Sequence, residues 1–105
     1  LLELSKDNFE KEVLQADGLV AVDYWSDSCD RCLEIMPDVE ELAEKYSDKV
    51  KFAKLNIKGN RRLAIGQKVL GLPSIVFYKD GEKLEHLSGE DLEVEDIEQT
   101  LQEVI

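Results

Sequence analysis

Hydrophobic positions along the chain switch between two periods, and the switches mark the elements. Leu19–Trp25 (LVAVDYW) is almost continuously apolar and β-branched, the pattern of a strand covered on both faces. Its single charge, Asp23, interrupts that run. From Cys29 to Tyr46 the spacing changes. Cys32, Ile35, Met36, Val39, Leu42, Ala43 and Tyr46 recur every three or four residues and predict a long amphipathic helix. Pro37 falls inside it and should kink it, because proline removes one hydrogen bond. Val50–Ile57 reads as a second strand and Arg61–Lys68 as a short basic helix. Ser74–Lys79 and Glu82–Ser88 flank Asp80-Gly81, a strong two-residue hairpin signal. Val94, Ile97, Leu101 and Val104 form the apolar face of a last helix, with acids crowding its N-terminal end as the helix dipole favours. At the start, Leu1–Leu4 reads as a short edge strand. Ser5 or Asp7 is then expected to cap a helix over Asn8–Gln15, with Phe9, Val13 and Leu14 inward.

The order is therefore β-α-β-α-β-α-β-β-α. Strands separated by helices imply parallel pairing, and the hairpin adds an antiparallel pair. An α/β fold follows, with a mixed central sheet and helices on both faces. With no repeat, low-complexity tract or linker, residues 1–105 read as one domain.

Charge refines this picture. The chain has 13 Lys+Arg against 24 Asp+Glu, a net charge of −11, which argues against nucleic acid as a partner. No run approaches the roughly 18 apolar residues of a membrane span. Met36 is the only methionine, so the chain starts without an initiator, and no basic segment followed by an apolar run opens it. The charge is uneven. Residues 51–79 carry seven basic side chains and no acidic one, between two strongly acidic segments.

Both cysteines fall in Cys29-Asp30-Arg31-Cys32, directly after a strand and at a helix start. Zinc or iron–sulfur binding needs four ligands, and the chain offers no other cysteine and one histidine, His86. Two reduced thiols with a coincidental spacing are one reading. The other is redox chemistry, to which C-x-x-C beside a βαβ pattern points. A helix N-terminus stabilises a thiolate at Cys29. Cys32, one turn along, is placed to close a small disulfide ring. Cys29 would attack an incoming disulfide and Cys32 would resolve the mixed disulfide, with no metal or organic cofactor.

With those residues in view, the chain resembles the thioredoxin family over nearly its whole length. The segments that carry the resemblance are VDYWSDSCDRC, the IMP at Ile35–Pro37, AKLNI at Ala53–Ile57, GLPS at Gly71–Ser74 and YKDGE at Tyr78–Glu82. More loosely, WSxxCxxC together with RRLAIGQKVLGLP is similar to thioredoxins that serve glycine reductase systems in anaerobic, amino-acid-fermenting bacteria. The resemblance implies a five-stranded mixed sheet flanked by four helices and an activity of dithiol–disulfide exchange.

It also implies roles for single residues, each beside a plainer reading. Burial should raise the pKa of Asp23. The family uses the matching Asp as a proton shuttle for the second cysteine; a satisfied structural carboxylate is the alternative. Lys54 matches that Asp's partner, or is a strand lysine snorkelling outward. Pro73 matches the family's cis-proline facing the cysteines, and Leu72 precedes it on the substrate-binding loop. Trp25 matches the active-site tryptophan. Gly89 leaves room for a partner's backbone, or is a turn glycine. Asp30 and Arg31 replace the usual Gly-Pro between the cysteines, and Arg31 should favour a nearby thiolate while Asp30 opposes it. Ser28 stands where many members carry an aromatic. His86 reads as a surface histidine.

The expected function is a cytoplasmic, monomeric thioredoxin-type carrier. It would reduce protein disulfides, be recharged by a thioredoxin reductase-type enzyme, and need no cofactor beyond the Cys29–Cys32 pair. A disulfide oxidase or isomerase, and a non-catalytic binding module, are the competing readings. On this fold some of the basic residues of that third, drawn from Lys54, the helix carrying Arg61, Arg62 and Lys68, and the approach to Pro73, are expected to steer an acidic partner toward the cysteines; solvated charges that happen to lack acidic neighbours are the alternative.

Overall fold

A computed structural model describes residues 1–105. Five strands form, β1 (Leu2–Leu4), β2 (Leu19–Trp25), β3 (Lys51–Asn56), β4 (Ser74–Lys79) and β5 (Glu82–Ser88). They pair in the order β1-β3-β2-β4-β5. The most continuously apolar segment, β2, takes the middle position, where both faces and both edges are covered. It runs parallel to β3 and antiparallel to β4, and the hairpin adds β5 antiparallel at one edge. The charged, exposed side chains of β5 suit an edge strand, because they discourage pairing with another chain.

Strand alternation divides the core into two faces. Val20, Val22 and Tyr24 of β2 pack with Phe9, Val13, Ala64 and Val69 on one face. Ala21 packs with Ile35, Val39, Ile75, Phe77, Ile97 and Leu101 on the other. The second face is covered by α1 (Asp30–Lys45) and α3 (Val94–Val104), and the first receives α2 (Arg61–Gly66). Helix α1 continues through Pro37. Both Pro37 and Leu33, whose carbonyl it leaves unpaired, are exposed, so water can take that hydrogen bond.

The first helix departs from expectation. Glu10–Leu14 is a π-helix, closed by a hydrogen bond from the Gln15 N–H to the Glu10 carbonyl at 2.8 Å. Neither Ser5 nor Asp7 caps it; the Ser5 hydroxyl instead accepts from the Asp7 N–H at 3.1 Å within the preceding turn. Packing explains the wider turn. Phe9 and Val13 are fully buried and Leu14 packs against the same cluster, so three closely spaced apolar residues must face the sheet together.

The hairpin turn forms as its two residues require, with φ of 50° at Asp80 and 85° at Gly81. Gly81 has a second constraint, since a Cβ there would lie 2.2 Å from the Leu14 carbonyl oxygen. The Asp80 carboxylate accepts from the Gly18 N–H at 2.8 Å, which ties this turn to the start of β2.

Candidate active site

Parallel β1, β2 and β3 all point their C-terminal ends to one side of the sheet. Antiparallel β4 begins on that side, and β5 ends on it. The connections after β2, after β3, before β4 and after β5 therefore meet at one end. That convergence brings Cys29, Leu72 and Glu90 to a single open cleft with Lys58 and Arg61, although they are spread over sixty residues of sequence.

Cys29 and Cys32 are joined as a disulfide with their Cα atoms 5.2 Å apart. Cys29 is the N-cap of α1, and its sulfur accepts the Cys32 N–H at 3.1 Å. The two sulfurs are unequal. Cys29 is half-buried at the cleft, whereas Cys32 is wholly buried beneath it. After reduction, the helix N-terminus and that N–H both favour negative charge on Cys29. The accessible cysteine is thus the one the backbone prepares as a thiolate.

Asp23 shares its strand face with Ala21, the face that α1 covers with Cys32 in its first turn. It is 1% exposed, and neither carboxylate oxygen has a hydrogen-bond partner. Burial raises its pKa to about 7, opposed only in part by the charge of Lys54. Lys54 lies opposite Asp23 in the β2–β3 register, but it forms no ion pair with it. Its ammonium sits 5.6 Å from the centroid of the Trp25 ring. Lys54 therefore acts on Asp23 through space rather than by contact. The exposed His86 lies on the edge strand, 3.3 Å from the Ser74 hydroxyl and outside the cleft.

The Leu72–Pro73 peptide is cis. The Pro73 carbonyl accepts the Gly89 N–H at 3.1 Å, so the loops before β4 and after β5 are held side by side. Gly89 has a φ of 117°, and a Cβ on it would meet nothing within 4 Å, so the backbone conformation and not crowding calls for glycine.

The matching family model, Thioredoxin, covers residues 1–103. The chain belongs to the thioredoxin family. It is 54% identical over 98 residues to a thioredoxin of Peptoclostridium acidaminophilum, covering 93% of this chain and 89% of the relative. A thioredoxin of Acetoanaerobium sticklandii is 47% identical over the full length of both chains, and one of Pseudomonas aeruginosa is 40% identical over 77% of this chain and 75% of its own. The chain is a thiol–disulfide oxidoreductase of the protein-disulfide reductase kind. The thioredoxin fold, with five strands in a mixed sheet and four helices, is the one observed.

The two residues between the cysteines behave differently from each other. Asp30 is exposed at the cleft. Arg31 also lines the cleft, but its guanidinium is engaged at the connection between β5 and α3. Its Nε and Nη2 donate to the Leu92 carbonyl at 3.2 and 2.7 Å, and Nη2 lies 3.1 Å from the Glu93 carboxylate. Glu34 lies 3.8 Å from its other amine. Two carboxylates thus offset the charge that was expected to favour the Cys29 thiolate. Arg31 serves instead as a clamp on the neighbouring loop. Arg31→Ala is expected to lower unfolding free energy in urea by about 1–2 kcal/mol, the scale of lost hydrogen bonds from a charged donor. It should leave the thiol pKa of Cys29, followed by alkylation rate against pH, nearly unmoved. A drop of a full pH unit or more in rate midpoint on restoring Arg31 would show that its charge does reach Cys29.

Lys58, Ile57 and Glu90 were not among the residues singled out from sequence, yet all three line the cleft. The available signal was topological. Residues just after a parallel strand gather with those after its neighbour, at the end where open α/β sheets bind ligands. Of the basic residues expected near the cysteines, Arg61 lines the cleft, whereas Arg62 and Lys68 lie outside it.

Proposed function

We propose that the chain is a disulfide-reducing electron carrier for protein partners, recharged by a thioredoxin reductase-type enzyme. The observation that supports it best is the asymmetric cysteine pair, one sulfur open at a helix N-terminus and one buried behind it. The Cys29 thiolate attacks one sulfur of the partner's disulfide, and the other partner sulfur leaves as a thiolate and takes a proton. Cys32 then attacks Cys29, which releases the second partner thiol and leaves the Cys29–Cys32 disulfide. Two electrons pass to the partner, and an external two-electron donor must restore the dithiol. Asp23, half-protonated near neutral pH, is suited to take the Cys32 proton as that thiol attacks.

Trp25, Asp30, Leu72 and Gly89 form the surface that meets the partner's backbone in this reading, around Pro73. The cysteine pair carries the whole redox change, so no metal or organic cofactor enters. The setting is cytoplasmic and the working unit a monomer. No helix is long and apolar enough to cross a membrane, and both cysteines serve the redox motif.

Equilibration with glutathione buffers, followed by thiol trapping, tests the direction of electron flow. The expected potential is below about −200 mV, on the reducing side. A value of about −120 to −180 mV would replace the reductase reading with an oxidase or isomerase one.

A further inference from the structure

Between α2 and β4 the chain runs without regular structure, and this stretch carries Pro73. Leu70, Gly71 and Leu72 make no backbone–backbone hydrogen bond, so the main chain does not fix the residues that lead into Pro73. Side chains of the β4–β5 hairpin hold the stretch instead. At its start, the Tyr78 hydroxyl donates to the Gln67 side chain at 3.0 Å, and the Lys83 ammonium donates to the Gln67 carbonyl. At its end, the Ser74 hydroxyl donates to the Gly71 carbonyl at 2.6 Å.

Ser74 is wholly buried, so its oxygen needs any further partner from within the protein. His86 of β5 supplies one, with its Nε2 3.3 Å from the Ser74 oxygen. Ser74 and Val76 are two residues apart on β4, and His86 pairs with Val76 in the register, so the three side chains share a face. The single Ser74 proton is committed to Gly71, and Nε2 must therefore donate. Burial and the charge of Lys83 both lower the His86 pKa, so at neutral pH the uncharged ring holds its one proton on Nε2. An N–H delivered to the Ser74 oxygen aims the hydroxyl at Gly71 and strengthens that bond, because linked hydrogen bonds polarise one another. Without it the hydroxyl can turn, and residues 70–72 gain freedom that a partner must remove on binding.

We propose that His86 is a positioning residue for partner capture: through Ser74 and Gly71 it holds residues 70–72 in the shape that meets the partner's backbone. The proposal rests on the reading above that the surface around Pro73 receives the disulfide-bearing partner. It gives the edge strand a share in the reaction, although no side chain of β5 lines the cleft.

The test compares His86→Val, which removes the donor, with His86→Gln, whose amide N–H stands where Nε2 does. Both change an exposed side chain, so folding is not at stake. Steady-state reduction of insulin by the full chain, with dithiothreitol as electron donor, separates KM from kcat. In His86→Val, KM for insulin should rise about threefold to tenfold, the scale of one hydrogen bond. Its kcat, and its rate on bis(2-hydroxyethyl) disulfide, should stay at the wild-type level. His86→Gln should restore the wild-type KM. Once Ser74→Ala has removed the acceptor, His86→Val should add no further loss. Nitrogen NMR of the imidazole at neutral pH should find the proton on Nε2. An unchanged KM in His86→Val, a Gln variant as impaired as the Val variant, or an equal loss on the small disulfide overturns the proposal. So do additive losses in the Ser74→Ala background, or a proton on Nδ1. A wild-type chain that reduces insulin no faster than dithiothreitol alone overturns the reductase reading itself, which separates the two failures.

Discussion

Cys29→Ser is expected to end disulfide reduction, and Cys32→Ser to stop it halfway with the partner still attached. The proposed mechanism gives the two steps to different sulfurs, and the burial supports it: Cys29 is half-buried at the cleft, whereas Cys32 is wholly buried. Serine is itself a favourable N-cap, so the start of α1 should survive Cys29→Ser, and the loss measures chemistry rather than folding. Turnover of a disulfide-bearing protein with a chemical reductant should fall by roughly three orders of magnitude or more, the scale of removing a nucleophile. In Cys32→Ser the first attack proceeds, and the adduct to Cys29 should persist and add the partner's mass on a non-reducing gel. The reduced wild type is the reference for both, since it also lacks the internal bond. Adduct formation in Cys29→Ser at the wild-type rate would reverse the assignment.

Asp23→Asn carries the second large effect, and its sign follows from burial. In the unfolded chain Asp23 ionises around its ordinary value of 3.8, whereas in the folded chain it holds its proton to about 7. Between those values the unfolded state binds fewer protons, so stability falls as pH rises, and the loss is complete above 7. The interval corresponds to about 4 kcal/mol of destabilisation at alkaline pH. Asparagine keeps the shape without the charge. Its stabilising effect should be near zero below pH 4, grow between 4 and 7, and level off above. Urea unfolding of both chains at matched pH checks this, and a gain that does not vary with pH would sink it. The same variant should slow the attack of Cys32 on the mixed disulfide and remove the inflection near pH 7 from that step. A purely structural Asp23 would leave that profile unchanged.

Much of the fold was readable because its signals are local. The boundaries of Leu19–Trp25, Ser74–Lys79 and Glu82–Ser88 appear as the sequence pattern places them. So does the hairpin, since two adjacent residues with positive φ suffice to make it. Helix α1 begins and ends within one residue of the stripe that predicts it. The π-helix was not readable. Residue spacing alone does not separate i→i+4 from i→i+5 bonding over five residues, and the packing of Leu14 beside Phe9 and Val13 on one face goes with the wider turn.

The site divides along the same line. Sequence by itself determined the redox pair, its place at a helix start, and the presence of one carboxylate in a buried strand. Each depends on residues a few positions apart. Only the tertiary structure decided how those groups are tuned. The Asp23 pKa follows from helices and strands that close over it without supplying a hydrogen bond. Lys54 stands opposite it yet reaches toward Trp25. Arg31, two residues from Cys29, is held by Leu92 and Glu93 some sixty residues away. Desolvation and pairing depend on which distant segments come together, and the order and direction of the strands settle that.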